Sequence, residues 1–198
     1  MFNEYKLLDA KVYEQDKSIE YFHPDSLDVI SLNTKALDVF ADFHTRSPRV
    51  INKDALASEA LQKMIDQKVR ALLVVNDQDQ VIGLVGAAQL QGMILMQTAQ
   101  QQGVTAKEVT VSMMMKPLNK LPMLNYKLLD NALVGHIARF LNEKNLNHVL
   151  VYEHDEQENM IIRGIFSASF IGRRLGMQIG HALSESSIAD ISRITSYK

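Results

Sequence analysis

Ser167, Phe170 and Arg174 stand at offsets of zero, three and seven, so on a helix they share one face. A guanidinium one turn beyond an aromatic ring suits a nucleotide, with Arg174 meeting a phosphate while Phe170 stacks on a base. The plainer alternative places Phe170 in the core and leaves Arg173 and Arg174 on a solvated helix surface. For Phe170 the core is preferred, because apolar helix stripes usually bury, and for Arg174 the two placements are even. His154 with Asp155, Glu156 and Glu158 offers several metal ligands, but in a turn and without the spacing of a zinc or calcium loop, so it is taken as a solvated acidic turn. His136 lies seven residues after Leu129 on an apolar stripe and is taken as a core histidine rather than a base. His23, His44 and His181 have no adjacent partner, and no G-x-S-x-G, Walker loop, H-E-x-x-H or dinucleotide fingerprint occurs.

Composition narrows the classes further. With 198 residues the chain holds one large domain or two small ones, and 46% hydrophobic against 22% charged residues is the balance of a folded globular protein. A net charge of -2 encodes no bulk attraction to nucleic acid or anionic lipid. The absence of cysteine excludes a disulfide framework, a thiolate metal site and a cysteine nucleophile, and fits a cytoplasmic location. Met1 to Asp16 lacks the apolar run of a signal peptide, and the low-charge segment Val81 to Gln102 carries too many glutamines for a membrane span.

The elements that must position these side chains come in two copies. In the first, Asp54 is the expected cap of a helix whose stripe is Ala57, Ala60, Leu61, Met64 and Ile65. Strand-length runs follow at Ala71 to Val75 and Val81 to Val85, joined by the turn Asn76 to Gln80; then comes a helix over Ala87 to Gln101, closed by Gly103. The second copy repeats the order: a stripe at Leu129, Ala132, Leu133, Ile137, Phe140 and Leu141, strands at Val149 to Tyr152 and Met160 to Phe166 around the acidic turn 153–159, and a helix from Ala168 to about Leu183. Each copy opens on a proline before a short apolar strand, at Ser47-Pro48-Arg49-Val50-Ile51 and at Leu121-Pro122-Met123-Leu124. The unit is strand, helix, strand, strand, helix. The first 38 residues read as an extension, 39–103 as the first repeat, 109–182 as the second and 183–198 as a tail.

This repeated unit resembles the cystathionine-beta-synthase (CBS) domain, and two in tandem resemble a Bateman module. Ala60-Leu61-x-x-Met64, Leu72 to Asp77, the Gly-apolar-apolar ends at Gly83-Leu84-Val85 and Gly164-Ile165-Phe166, and the lead-ins Val39 to Phe43 and Val111 to Met114 carry the likeness. The resemblance implies an α/β fold in which two repeats are related by a pseudo-twofold axis, with the sheets packed together, helices outside and clefts that bind adenosine nucleotides or S-adenosylmethionine. It also implies regulation without catalysis, no required cofactor, and a flat homodimer formed by the helices after the hairpins. The uncharged Ala87 to Gln102 helix, with Leu90, Met93, Ile94 and Leu95, is compatible with such a contact and equally with core packing.

In the family pattern the second hairpin strand ends in Gly-apolar-apolar-Thr/Ser-x-x-Asp, with the hydroxyl on phosphate and the carboxylate on ribose. Here the second copy keeps Ser167 and puts Phe170 in the carboxylate position, while the first has Gly86 and Gln89. Gln89 can still hydrogen-bond a sugar, more weakly than an ionised acid. The resemblance places Met123, Leu124, Ile165 and Phe166 around the base, and Arg70 and His148, just ahead of the central strands, within reach of a polyphosphate; a polar strand entry facing water is their plainer reading. Ser47 and Arg49 border the same slot. The residues from Arg163 to Lys198 carry a mild positive bias favourable to anions. The expected function is a module that binds AMP, ADP, ATP or S-adenosylmethionine and signals to a separate, unidentified protein, without nucleic acid or membrane. The alternative is a pair of repeats that no longer binds ligand and serves as a dimerisation or interaction scaffold.

Overall fold

Two hairpins of continuous apolar sequence dictate two small sheets, each needing cover on both faces. A computed structural model describes residues 30–180. His23, His181, residues 1–29 of the expected extension and the tail 183–198 fall outside them. The first sheet is ordered β2-β3-β4-β5, from Val50–Asn52, Ala71–Val75, Val81–Gly86 and Lys116–Pro117; the second is β1-β8-β7-β6, from Ala41–Asp42, Met160–Ser167, His148–His154 and Met123–Asn125.

The registers make the likeness of the two repeats explicit. β2 pairs parallel with β3 as β6 does with β7; Val74 faces Gly83 as Val151 faces Gly164; and each hairpin shifts register one residue later. Both turns are built alike, with Asn76 and Asp155 each accepting from two backbone N–H groups and Asp79 and Glu158 at positive φ. The second hairpin is two residues longer on each strand, adding Glu153 and His154 to β7.

The short lead-in strands exchange sheets. β1, which leads into the first repeat, pairs with β8 of the second, and β5, which leads into the second, pairs with β4 of the first. Residues ahead of them follow: Ile30, Ala36 and Val39 are buried in the second repeat's core, and Val109, Val111 and Met114 in the first's. The stretch 30–38, read from sequence as an extension, thus supplies core. Both crossings depend on a glycine in the strand they join. A Cβ on Gly83 would lie 2.6 Å from the Lys116 carbonyl oxygen, and one on Gly164 would collide with the Phe40 ring and the Ala41 carbonyl.

Helices cover the outer faces. α1 (Ala57–Asp66) buries Ala57, Ala60 and Met64, and α4 (Val134–Glu143) buries Val134, Ile137, Ala138 and Leu141. Neither start is capped as the sequence suggests. Asp54 pairs with Lys53 at 2.7 Å, and the orphan N–H of Leu56 donates to Glu59 Oε2 at 2.8 Å; at the equivalent place Leu133 N–H donates to Nδ1 of His136 at 2.9 Å. His136 is therefore an exposed helix-start acceptor and not a core histidine. Leu129 and Ala132 precede α4, which begins only at Val134.

The other helices also differ from expectation. Ala87 to Gln101 is no single helix: a 3-10 turn at Ala87–Leu90 breaks at the extended Gln91, and α2 (Gly92–Gln102) follows, ending on left-handed Gly103. A four-residue α3 (Val111–Met114) precedes β5. α5 (Ala168–Leu175) stops eight residues short of Leu183, because Gly176 takes the left-handed conformation that ends a helix cheaply. Between the sheets lies a third apolar cluster of Leu73, Leu84 and Leu150, flanked by Val50, Met123 and Ile165.

Candidate functional site

The register of the second hairpin sets His148 directly opposite Ser167, at the mouth of the seam between the sheets. Ser167 caps α5: its Oγ accepts from Phe170 N–H at 3.4 Å, a long bond, and shares a proton with Ser169 Oγ at 3.0 Å. The hydroxyl thus stands at the start of a helix, where unpartnered N–H groups and the helix dipole favour an anion.

His148 opens β7 rather than preceding it, so the true counterpart of Arg70 is Asn147: the Arg70 carbonyl accepts from Ala87 N–H at 2.9 Å and that of Asn147 from Ala168 N–H at 2.8 Å. Burial, then the positive charges of Arg70 and Lys116, push the His148 imidazole down to about 4. At neutral pH it is an uncharged imidazole within the field of two cations. Arg70 comes from the first sheet's β3 entry and Lys116 from the crossing strand β5, so positive charge on one sheet is felt at His148, opposite Ser167, on the other. Lys116 was not legible as a site residue, because nothing in its local sequence says which sheet β5 joins.

Phe170 is not core. It is 37% exposed, and the Arg174 guanidinium lies 5.7 Å from its ring centroid. α5 is too short for its face to be covered, and an aromatic–cation pair is left at the surface near Ser167. Phe166, by contrast, is fully buried, its ring 5.0 Å from that of Phe40, so its side chain cannot wall a base. Leu124 packs on the same inner core, whereas Met123 and Ile165 face the seam between the sheets. In the first repeat Gln89 folds back, its Oε1 accepting Gly86 N–H at 2.8 Å, so the carbonyl oxygen is already used. Ser47 and Arg49 are exposed, and the Arg49 carbonyl accepts Leu73 N–H at 2.9 Å.

One charged cluster escaped sequence reasoning. Arg163 bonds both oxygens of Asp42, at 2.8 and 3.0 Å, and both of Glu153, at 3.0 and 2.9 Å, with Tyr126 beneath its guanidinium at 4.4 Å. The hydrogen bond from Arg163 holds the Asp42 carboxyl below its usual value of 3.8. Two carboxylates neutralise Arg163, which removes it from the positive bias expected of the C-terminal residues. The cluster borders a cavity of about 330 Å³ lined by Phe43, Pro48, Val50, Leu73, Val81 and Ile162. Among the described residues no group of three or more His, Asp or Glu side chains is placed to hold a metal, and no helix is long and apolar enough to cross a membrane.

Comparison with known proteins fits this architecture. Residues 40–91 match the CBS domain family. No curated protein sequence matches the chain. An uncharacterised conserved protein from Pyrococcus horikoshii, 19% identical over 73% of this chain and 93% of its own, superposes with a TM-score of 0.51 and shares the fold. CBSX2 of Arabidopsis thaliana in complex with AMP is 18% identical over 71% and 94% of the two chains, at a TM-score of 0.49. The CBS domain pair of protein MJ0100, in complex with 5′-methylthioadenosine and S-adenosyl-L-methionine, is 17% identical over 72% and 96%, also at 0.49.

Proposed function

We propose that this protein, whose residues 40–91 match the CBS domain family and whose following residues repeat the same topology, is a tandem CBS regulatory module that binds an adenosine-containing nucleotide in the seam between its repeats. The carrying observation is the pairing of His148 with Ser167 at the start of α5, where the positive charges of Arg70 and Lys116 from the other sheet also act. Two cations from one sheet and a helix start from the other make a seat for a phosphate that neither repeat makes alone. Met123 and Ile165 supply apolar surface for the base, and the Phe170–Arg174 pair a second contact at the rim. Charge ranks the candidates: ATP, ADP and AMP suit the cations, and S-adenosylmethionine, which bears a sulfonium, suits them less.

The module has no catalytic step of its own, needs no cofactor, and acts in the cytoplasm as a homodimer on a separate target protein. The exposed Met93 and Met96 of α2 are the surface for the dimer contact. A second reading, a scaffold that binds no nucleotide, draws on one observation: neither copy offers a carboxylate for ribose, since Gln89 is folded back and Phe170 stands in the other position.

A thermal-shift series with AMP, ADP, ATP and S-adenosylmethionine, checked by calorimetry, separates the two. A ligand at 100 times its Kd stabilises by about 2.7 kcal/mol. The expected result is a saturable shift that grows with phosphate number and disappears in Arg70→Met and Lys116→Met. No shift with any ligand favours the scaffold.

A further inference from the structure

The two crossings that tie the repeats together are equivalent in backbone and unequal in side chains. Asp42 faces Gly164 as Pro117 faces Gly83, and Arg163 and Ile82 each precede those glycines by one residue. The fork of Arg163 to Asp42 and Glu153 therefore has Pro117 and Ile82 in place of two of its members, and Glu153 lies in the two-residue extension that the first hairpin lacks. Tyr126, which follows the last residue of β6, corresponds to Lys53, which follows the last of β2 and pairs instead with Asp54 and Asp77. At β1, the Asp42 carbonyl also accepts from Thr45 and Arg46, and Phe43 N–H donates to the Arg163 carbonyl at 2.9 Å. Side chains of Arg163, Asp42 and Glu153 are 13%, 22% and 25% exposed, so solvent weakens this network little. β5 carries Lys116, an exposed cation at the proposed phosphate seat, and its other residue, Pro117, which stands where β1 has Asp42, cannot form an ion pair.

We propose that β1 is the fixed crossing and β5 the movable one, so that a nucleotide held by Lys116 orders β5 and transmits occupancy from one sheet to the other. A bound anion would interact with β5 directly and with β1 not at all, which is the differential contact that a ligand-driven shift requires. The ligand half of the proposal rests on the nucleotide reading above; the inequality of the crossings does not.

Hydrogen exchange read by mass spectrometry on the full chain tests both halves. Without ligand, peptides covering 39–45 are expected to exchange at least tenfold more slowly than those covering 113–121, and equal or reversed rates overturn the proposal. Asp42→Asn, which keeps the side-chain shape, is expected to accelerate 39–45 at least tenfold and leave 113–121 unchanged; no change at 39–45 overturns the role of the fork. With ADP at saturation, protection is expected, of the two crossings, at 113–121 and not at 39–45. Equal protection of both crossings overturns the movable strap while the nucleotide reading stands. No protection anywhere, together with no thermal shift, overturns the nucleotide reading and the transmission step, and the comparison without ligand still decides whether the crossings differ.

Discussion

Asp42 and Arg163, 121 residues apart in sequence, tie two adjacent antiparallel strands together through two parallel hydrogen bonds of 2.8 and 3.0 Å. Replacing Arg163 by Met would leave two half-buried carboxylates facing each other, and a loss of about 2–3 kcal/mol in urea unfolding is expected. Arg163→Lys would recover only part of this, because an ammonium cannot form the fork. Since Arg163 lowers the Asp42 carboxyl below 3.8, the fork's contribution is complete at neutral pH. It is lost only as the pH falls through the lowered folded-state value. An unfolding midpoint unchanged in Arg163→Met would remove this account of the cluster.

His148 acts in the same direction, at higher pH. Its folded-state value is about 4 against an ordinary 6.5, so between these pH values the unfolded chain binds the extra proton and stability declines on acidification. His148→Gln should therefore lose less stability than the wild type between pH 6.5 and 4.5, measured by thermal melts. A bound phosphate would raise the imidazole value, so nucleotide binding near pH 5.5 should take up protons, visible as a buffer-dependent heat in calorimetry.

The crossing glycines set a third expectation. Gly164→Ala meets the Phe40 ring and the Ala41 backbone and should cost about 2–3 kcal/mol, more than Gly83→Ala, where the flexible Met115 side chain can yield although the Lys116 carbonyl cannot. Similar melting temperatures for both variants and the wild type would show that the crossings are looser than their geometry.

Phe170 offers a gain-of-function test. Because it is 37% exposed and sits at the third position of α5, Phe170→Asp should fold normally, favour the helix dipole and place a carboxylate where the family pattern holds ribose. AMP affinity is expected to rise about tenfold, which corresponds to about 1.4 kcal/mol. Unchanged affinity would place the ribose elsewhere.

What the sequence made legible was whatever repeats in local pattern. The hairpins, the proline-led strands and the stripes of α1 and α4 follow from apolar spacing, and their order twice over was enough to identify the fold. The destination of β1 and β5 was not, because two-residue strands carry no period and their partners lie far away in sequence. That is why Lys116 and the Arg163 fork were missed. Phe170 was given to the core because apolar helix stripes usually bury; Gly176 ends the helix after eight residues and leaves the ring uncovered. Phe166 and Leu124 were placed by strand rather than by side of strand, and the one-residue alternation of a sheet turned both side chains inward.

The exchange of lead-in strands changes what a fragment of this chain can be. The sheet β2-β3-β4-β5 is drawn from one uninterrupted stretch, 50–117, whereas β1-β8-β7-β6 needs residues on either side of it. In terms of connectivity the second repeat is a host and the first a guest spliced into its chain, despite their arrangement as successive copies. Cutting near Val104, between the apparent repeats, separates β5 from its sheet and β1 from its own, whereas excising 47–118 as a piece leaves one sheet's strands together. The topology makes the second unit depend on residues from both sides of the first, whereas the first is drawn from a single stretch.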